Sequence, residues 1–235
     1  IVPVLMKVTR GYTYADIEIN GRLIRFITTH LESIWDENKI PNAAKQATQL
    51  IEEQSNNTIP TVIVGDFNSD PRDPRAKGFA NPGEQPEASE KCPTESSLCN
   101  AYKVMREANF LDAGPDASDP ATFTWGMNAL LTGADPARRA AAKEMGNDFG
   151  FTDRLDYIFV KNGIKVLTSK IIGQTAPYGT DHAGVVTALN VTALGSVVSA
   201  PLDAHQRFPI SFWKGVGLLL LALITWRIVR RFRRR

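Results

Sequence analysis

His30, Asp66, Asn68, Asp181 and His182 each stand at the end of an apolar run, and Asp156 stands inside one. Side chains at strand ends can converge on one rim of a sheet while the strands hold them rigid. An acid within an apolar strand is costly unless it is paired. The chain has three histidines, and two of them belong to this set. Carboxylates, an amide and imidazoles, with no Gly-x-Ser-x-Gly elbow and no reactive cysteine in the set, point to hard-cation chemistry. Mg²⁺ binds through one or two carboxylates plus phosphate oxygens and keeps several waters. Such an ion can hold a phosphoryl oxygen and neutralise charge on a leaving oxygen. A carboxylate–imidazole pair fixes a ring tautomer and raises its basicity, and an asparagine donates without adding charge. Taken singly, each residue has an ordinary structural reading. Gly65-Asp66-Phe67-Asn68 reads as a tight turn, Asp181-His182 as a surface loop, His30 as a core histidine, Asp156 beside Arg154 as an ion pair and Trp125 as core. Their ordered combination is what points to chemistry.

The elements that must position them follow from the pattern. Tyr12–Ile19 and Arg22–Thr29 are β-rich runs joined by Asn20-Gly21, a hairpin signal that delivers His30 just past a strand. Asn42–Glu53 carries Ala43, Ala44, Ala47, Leu50 and Ile51 at helical spacing, with Pro41 near its start. Pro60–Val64 is a short continuous apolar run, the mark of a buried strand, and ends in Gly65-Asp66. Residues 69–97 are rich in proline and charge and predict a long surface loop. Leu98–Phe110 reads as a helix and Thr122–Trp125 as a short β-type run. Within an inserted excursion over 126–153, Asp135-Pro136 predicts a capped helix that Gly146 closes. Leu155–Val160, Lys165–Ile172 and Ala183–Val191 predict strands, as does Ile1–Val8. Strands alternating with helices argue for an α/β or α+β fold.

The 235 residues suffice for one packed domain, and 43% hydrophobic with 22% charged residues excludes a disordered chain. No 20–50-residue repeat suggests a solenoid. The net charge of +2 conceals a division. Residues 1–210 hold 20 Lys and Arg against 25 Asp and Glu, a balance of −5, whereas residues 211–235 hold Lys214 and six Arg with no acid. An acidic body with a basic tail does not read as a nucleic-acid-binding charge pattern. Ser211–Val229 is mostly apolar, and 19 helical residues span roughly 28 Å, close to the hydrocarbon core of a bilayer. Trp213 and Trp226 stand near its ends and Arg230–Arg235 follow. The pattern predicts a membrane span over 211–229, a linker over 193–210 and a basic tail over 230–235 held in the cytoplasm, with the body over 1–192 facing outward. Six residues separate Cys92 from Cys99, so a small disulfide loop is feasible in an oxidising compartment, and two buried thiols stay open as the alternative.

In order along the chain, Thr29-His30-Leu31-Glu32, Gly65-Asp66-Phe67-Asn68-Ser69-Asp70-Pro71, Thr122-Phe123-Thr124-Trp125, Asp153-Arg154-Leu155-Asp156-Tyr157-Ile158 and Thr180-Asp181-His182 resemble the endonuclease/exonuclease/phosphatase superfamily, the DNase I-like fold. The likeness covers roughly residues 5–192. It implies an α+β fold, a β-sandwich flanked by helices in four layers (α/β/β/α). It also implies that His30 contacts the scissile phosphate, Asp66 orients or deprotonates the attacking water, and Asn68 donates to a phosphate oxygen. Asp181 would help to hold Mg²⁺ or Mn²⁺, His182 would act as base or stabiliser, Asp156 would orient His182, and Thr124 and Trp125 would line the substrate groove. Thr180 stands where the family usually has Ser. The family's metal-binding Glu and an Asn on its opening strand precede anything in these residues, so the resemblance implies a member truncated at its N-terminus, with opening strands missing.

The expectation is therefore a membrane-tethered, metal-dependent hydrolase of phosphate esters outside the cytoplasm. Its first-choice substrate is a phosphodiester, in nucleic acid or a phospholipid head group. A phosphomonoesterase of the inositol-phosphate type and a non-catalytic membrane-tethered binding module are the alternatives. No protein partner can be inferred.

Overall fold

The computed structural model describes residues 9–75, 86–94, 96–128 and 130–191. The predicted strand Ile1–Val8, the linker, the span Ser211–Val229 and the basic tail lie outside the described residues. Among those described, no helix is long and apolar enough to cross a membrane.

The order of elements is β1 (Tyr12–Ile19), β2 (Arg22–His30), α1 (Asn42–Glu53), β3 (Thr61–Asp66), α2 (Ala101–Glu107), β4 (Leu111–Asp112), α3 (Pro136–Met145), β5 (Asp156–Lys161), β6 (Lys165–Ile172) and β7 (Gly184–Asn190). Five strands form one mixed sheet in the order β1-β2-β3-β5-β4, and β6 pairs with β7 in a second. The Asn20-Gly21 turn joins β1 and β2 as an antiparallel hairpin. β3 runs parallel to β2, which requires a crossover, and α1 supplies it. Buried Ala43, Ala44, Ala47 and Leu50 give α1 a flat, small-residue face. That face packs into a core with Ile27, Ile63, Phe67, Met105, Tyr157 and Phe159. Val62, Ile24 and Val160 point to the opposite side, where Val166 and Leu189 of the second sheet cover them. β3 is thus buried on both faces, which accounts for its unbroken apolar run.

Several expectations need correction. The helix predicted over Leu98–Phe110 is split into a 3-10 turn at Ser97–Cys99 and α2. The break comes from Asn100, whose extended backbone (φ −146°) lets its side chain accept from the Lys103 amide as an N-cap. Its Nδ2 also donates to the Asp70 and Asp73 carbonyls at 2.9 and 2.7 Å. Thr122–Trp125 is not a strand. Pro120–Thr122 form a 3-10 turn, and Trp125 makes isolated bridges to Asp153 and His182. Residues 69–97 are not simply a surface loop, because Ser69, Asp70 and Asp73 are buried. Asp156 opens β5 rather than lying inside it. The capped helix is present as α3, with the Asp135 side chain accepting from the Arg138 amide and Gly146 closing it in the left-handed region. Cys92 and Cys99 are joined in a disulfide, Cα to Cα 5.6 Å, that closes the loop before α2.

One close approach fixes the sheet's register at the site. Gly65 pairs with Thr29 across the parallel strands, and a Cβ at Gly65, where φ is +155°, would lie 1.9 Å from the Thr29 carbonyl oxygen. The Thr29 carbonyl is backbone and cannot swing aside. Gly65→Ala is expected to cost about 3 kcal/mol of folding stability through strain and overpacking. Equilibrium urea unfolding checks this, and an unchanged midpoint would contradict the close approach.

Candidate active site

The strand register brings the first three site residues together. His30 is the Cα partner of Asp66, and Asp66 is the partner of Asp156, so the ends of β2, β3 and β5 present them side by side. His182 arrives from the loop before β7 and is held against Trp125 by a β-bridge. Its Nδ1 lies 2.8 Å from Asp156 Oδ2. Its Nε2 is 3.9 Å from Asp66 Oδ2, and His30 Nε2 is 3.4 Å from the same oxygen. The His30 side chain is 55% exposed and that of Asp66 is 15% exposed. Asp66 therefore sits at the floor of an open cavity of about 950 Å³, with His30 at its rim.

Asn68 and Thr124 are held by the chain itself. Asn68 is in the left-handed region (φ 45°), which lets its backbone N–H donate to Asp66 Oδ1 at 2.8 Å. Its Nδ2 donates to the Leu31 carbonyl at 2.8 Å. One amide hydrogen thus secures the β2 end, and Asn68 also lines the cavity. Thr124 is fully buried and does not line the cavity. Its hydroxyl accepts from the Leu155 and Asp156 amides at 3.1 and 3.2 Å, and its carbonyl accepts from the Ala183 amide at 2.7 Å. Thr124 therefore positions both halves of the Asp156–His182 pair. Trp125 does line the cavity, with the Arg138 guanidinium 4.3 Å from its ring centroid.

Asp181 also lines the cavity, and its Oδ1 accepts from the Thr180 hydroxyl at 3.2 Å. Among the described residues, the group able to hold a metal ion is Asp66, Asp156 and His182, with one ligand atom from each within 4.8 Å of the others. Asp181 is outside that group and stands on the wall of the same cavity. Burial and the neighbouring Asp156 carboxylate push the Asp66 carboxyl up to about 6, although the Asn68 amide and the two histidines pull the other way. Burial lowers His182, but the hydrogen bond and charge of Asp156, with Asp66 and Asp181, outweigh it and leave the ring more basic than usual. A half-buried carboxylate that resists ionisation until pH 6, beside a second carboxylate and a ring nitrogen, fits a divalent cation.

The support behind these residues was not legible beforehand. Arg154 is fully buried. Its Nε donates to the Asp156 carbonyl at 2.9 Å, its Nη1 donates to the Thr122 carbonyl at 3.2 Å, and its backbone N–H donates to Asp70 Oδ2 at 2.9 Å. Asp70 is in turn bound by Arg72 at 2.6 Å. Arg10 also faces the cavity, held at 3.0 Å by buried Glu32. Burial raises Glu32, but Arg10 and the backbone amides of Ile34 and Ser33 outweigh it and hold the carboxyl below its ordinary value. The adjacency of Arg154 to Asp156 in Asp-Arg-Leu-Asp was the one available signal, and it pointed to an ion pair rather than to this backbone contact.

The folded state keeps the Asp66 proton to about pH 6, whereas a free carboxyl loses it near 3.8. Stability tied to Asp66 is thus lost as pH rises through that window, and a cation beside the carboxylate restores it. In EDTA at pH 8, Asp66→Asn is expected to melt above the wild type, with the gap closing towards pH 4. Mn²⁺ should raise the melting temperature of the wild type and leave the variant unmoved. A variant that melts lower at pH 8, or gains as much from Mn²⁺, would contradict the assignment.

Residues 7–182 match the sequence model of the Endonuclease/Exonuclease/phosphatase family. No curated protein shows a significant match. Among solved structures, the mannosyl-6-phosphatase of Bacteroides thetaiotaomicron is 14% identical, with 77% of this chain and 57% of that chain covered and a TM-score of 0.45. A D. rerio TDP2 humanized by 14 mutations is 18% identical, covering 77% of this chain and 60% of that one at a TM-score of 0.45. An endonuclease/exonuclease/phosphatase family protein from Leptotrichia buccalis is 21% identical, covering 76% and 53% at a TM-score of 0.44. The chain thus spans a little over half the length of these structures.

Proposed function

The chain belongs to the endonuclease/exonuclease/phosphatase family, and we propose that it hydrolyses phosphate esters, phosphodiesters first, with a divalent cation held by Asp66, Asp156 and His182. The observation that carries this reading is the convergence of His30, His182 and Asp66 within 3.4 and 3.9 Å, with Asp156 at 2.8 Å behind His182. Bound there, Mg²⁺ or Mn²⁺ would supply charge neutralisation on a phosphoryl oxygen. Asp181, at the same cavity wall, is proposed as a further ligand.

The environments of the titrating groups support separate roles. Burial and Asp156 raise Asp66 only to about 6, so it is ionised at neutral pH, and the carboxylate oxygen it does not give to the cation can accept a proton. It takes a proton from water as the water oxygen bonds to phosphorus. The P–O bond to the ester group breaks, and the departing oxygen takes a proton from His30 or solvent. His182, held at Nδ1 by Asp156, turns Nε2 to the cavity, where the neutral ring would ligate the cation. Asp156 fixes the ring, because its carboxylate receives Nδ1–H and leaves Nε2 facing the cavity.

Two wider features belong to the same proposal. The five-stranded sheet with α1 packed on one face and β6 and β7 on the other supports a four-layer DNase I-like sandwich. The apolar run Ser211–Val229 followed by Arg230–Arg235 supports a membrane anchor with the catalytic body outside the cytoplasm. Fractionation with and without residues 211–235 tests the anchor.

Assays of the whole protein with Mg²⁺ or Mn²⁺ on plasmid DNA, sphingomyelin and an inositol phosphate test the chemistry and rank the substrates. EDTA should abolish turnover and added metal restore it. His182→Ala and Asp66→Ala should each lower turnover by about 10³-fold without unfolding the protein. Activity that survives thorough chelation, or near-normal rates in both variants, would overturn the reading.

A further inference from the structure

The cavity that holds the acid–imidazole cluster has a second wall of a different character. Ile34, Trp35, Trp125 and Leu155 line it beside His30, Asp66, Asp156 and His182. Ile34 is 55% exposed, and it stands on a loop whose backbone is well anchored. Its N–H donates to Glu32 Oε1 at 3.1 Å, and its carbonyl accepts from Asn42 Nδ2 at 2.8 Å. Trp35 forms a β-bridge with Pro41. Asp36 closes the turn by accepting from the Asn38 and Ile40 amides, both at 2.8 Å. Such an anchored loop holds an apolar surface open to water at a fixed place, continuous with the reacting centre.

The charges of the same cavity argue for one phosphate rather than several. Asp36, Asp66, Asp156 and Asp181 line it, and among the described lining residues Arg10 is the one guanidinium, already held by Glu32. A second phosphate would face carboxylates, whereas an uncharged group beside the first would meet two indoles and an isoleucine.

We propose that the Ile34–Trp35 wall, together with Trp125, seats an aromatic group that stays on the substrate phosphate when the leaving group departs, so that the preferred substrate is a singly charged phosphodiester with a retained aryl ester rather than a polyanionic strand. This rests on the phosphoesterase reading of the same site. Aromatic substituents suit flat indole faces, and release of water from Ile34 adds to the attraction. The wall acts on binding, so its signature is in KM rather than kcat.

Phenyl 4-nitrophenyl phosphate and methyl 4-nitrophenyl phosphate share a leaving group and differ in the group retained. The wild type with Mn²⁺ should favour the phenyl diester. Ile34→Ser and Trp35→Ser should each lower the phenyl-to-methyl ratio of kcat/KM by about tenfold, mainly through KM. Ile34 is exposed, so its variant keeps the test valid if the Trp35 variant fails to fold. A ratio unmoved by Ile34→Ser, or a single-stranded oligonucleotide cleaved in preference to the phenyl diester, would overturn the proposal. Calorimetric binding of phenylphosphonate against methylphosphonate reads the aromatic seat without turnover. Loss of all ester hydrolysis would then count against the phosphoesterase reading, while equal binding of the two phosphonates would count against the aromatic seat.

Discussion

The site depends on the pairing of three strand ends. β2 and β3 run parallel and β3 and β5 antiparallel, and their registers put His30, Asp66 and Asp156 in one row. A slip of one residue in either pairing would turn a site side chain to the opposite face of the sheet. Gly65 guards the first pairing by admitting the Thr29 carbonyl where no Cβ would fit. Phe67 guards the second, since its N–H donates to the Leu155 carbonyl at 2.8 Å and its ring packs edge-on against Tyr157 and Phe159. The candidate site therefore sits where the most buried part of the core is best defined.

Around that row lies an unusual amount of buried charge. Asp70, Asp153 and Arg154 are almost wholly withdrawn from solvent, and Asp73 is close to it. Arg75 reaches both Asp73 and Asp153, at 2.9 and 2.7 Å. Buried ion pairs of this kind contribute little net stability, but removing one partner leaves an uncompensated charge. Here they tie the loop after β3 to the segment before β5, and Arg154 carries the tie onto the Asp156 carbonyl. Thr124 does the same from the opposite side with neutral hydrogen bonds. Asp66, by contrast, is held against its own ionisation by burial and by the Asp156 carboxylate.

Much of this was legible in the sequence. β1, α1 and β6 match their predicted bounds, because hairpin, alanine-face and alternation signals are local. The convergence of site residues was legible only as an order of motifs, since parallel pairing through α1 is a non-local event. Thr124 faces the interior rather than the cavity, and a threonine beside a lining tryptophan carries no sequence signal of which way it faces. The break at Asn100 was hidden because its capping partner and its loop partners, Asp70 and Asp73, are far apart in sequence. The Ile34–Trp35 wall was missed for a related reason. Two apolar residues in a polar loop have no periodicity, and only the fold sets them beside His30.

The proposed reaction requires Asp66, Asp156 and His182 to form a single cation-holding centre. The most direct test is a crystal of the protein soaked in Mn²⁺ and measured for anomalous scattering at the manganese edge. A peak is expected in contact with the Asp66 carboxylate and beside His182. Strong manganese peaks elsewhere with none at Asp66 would contradict it.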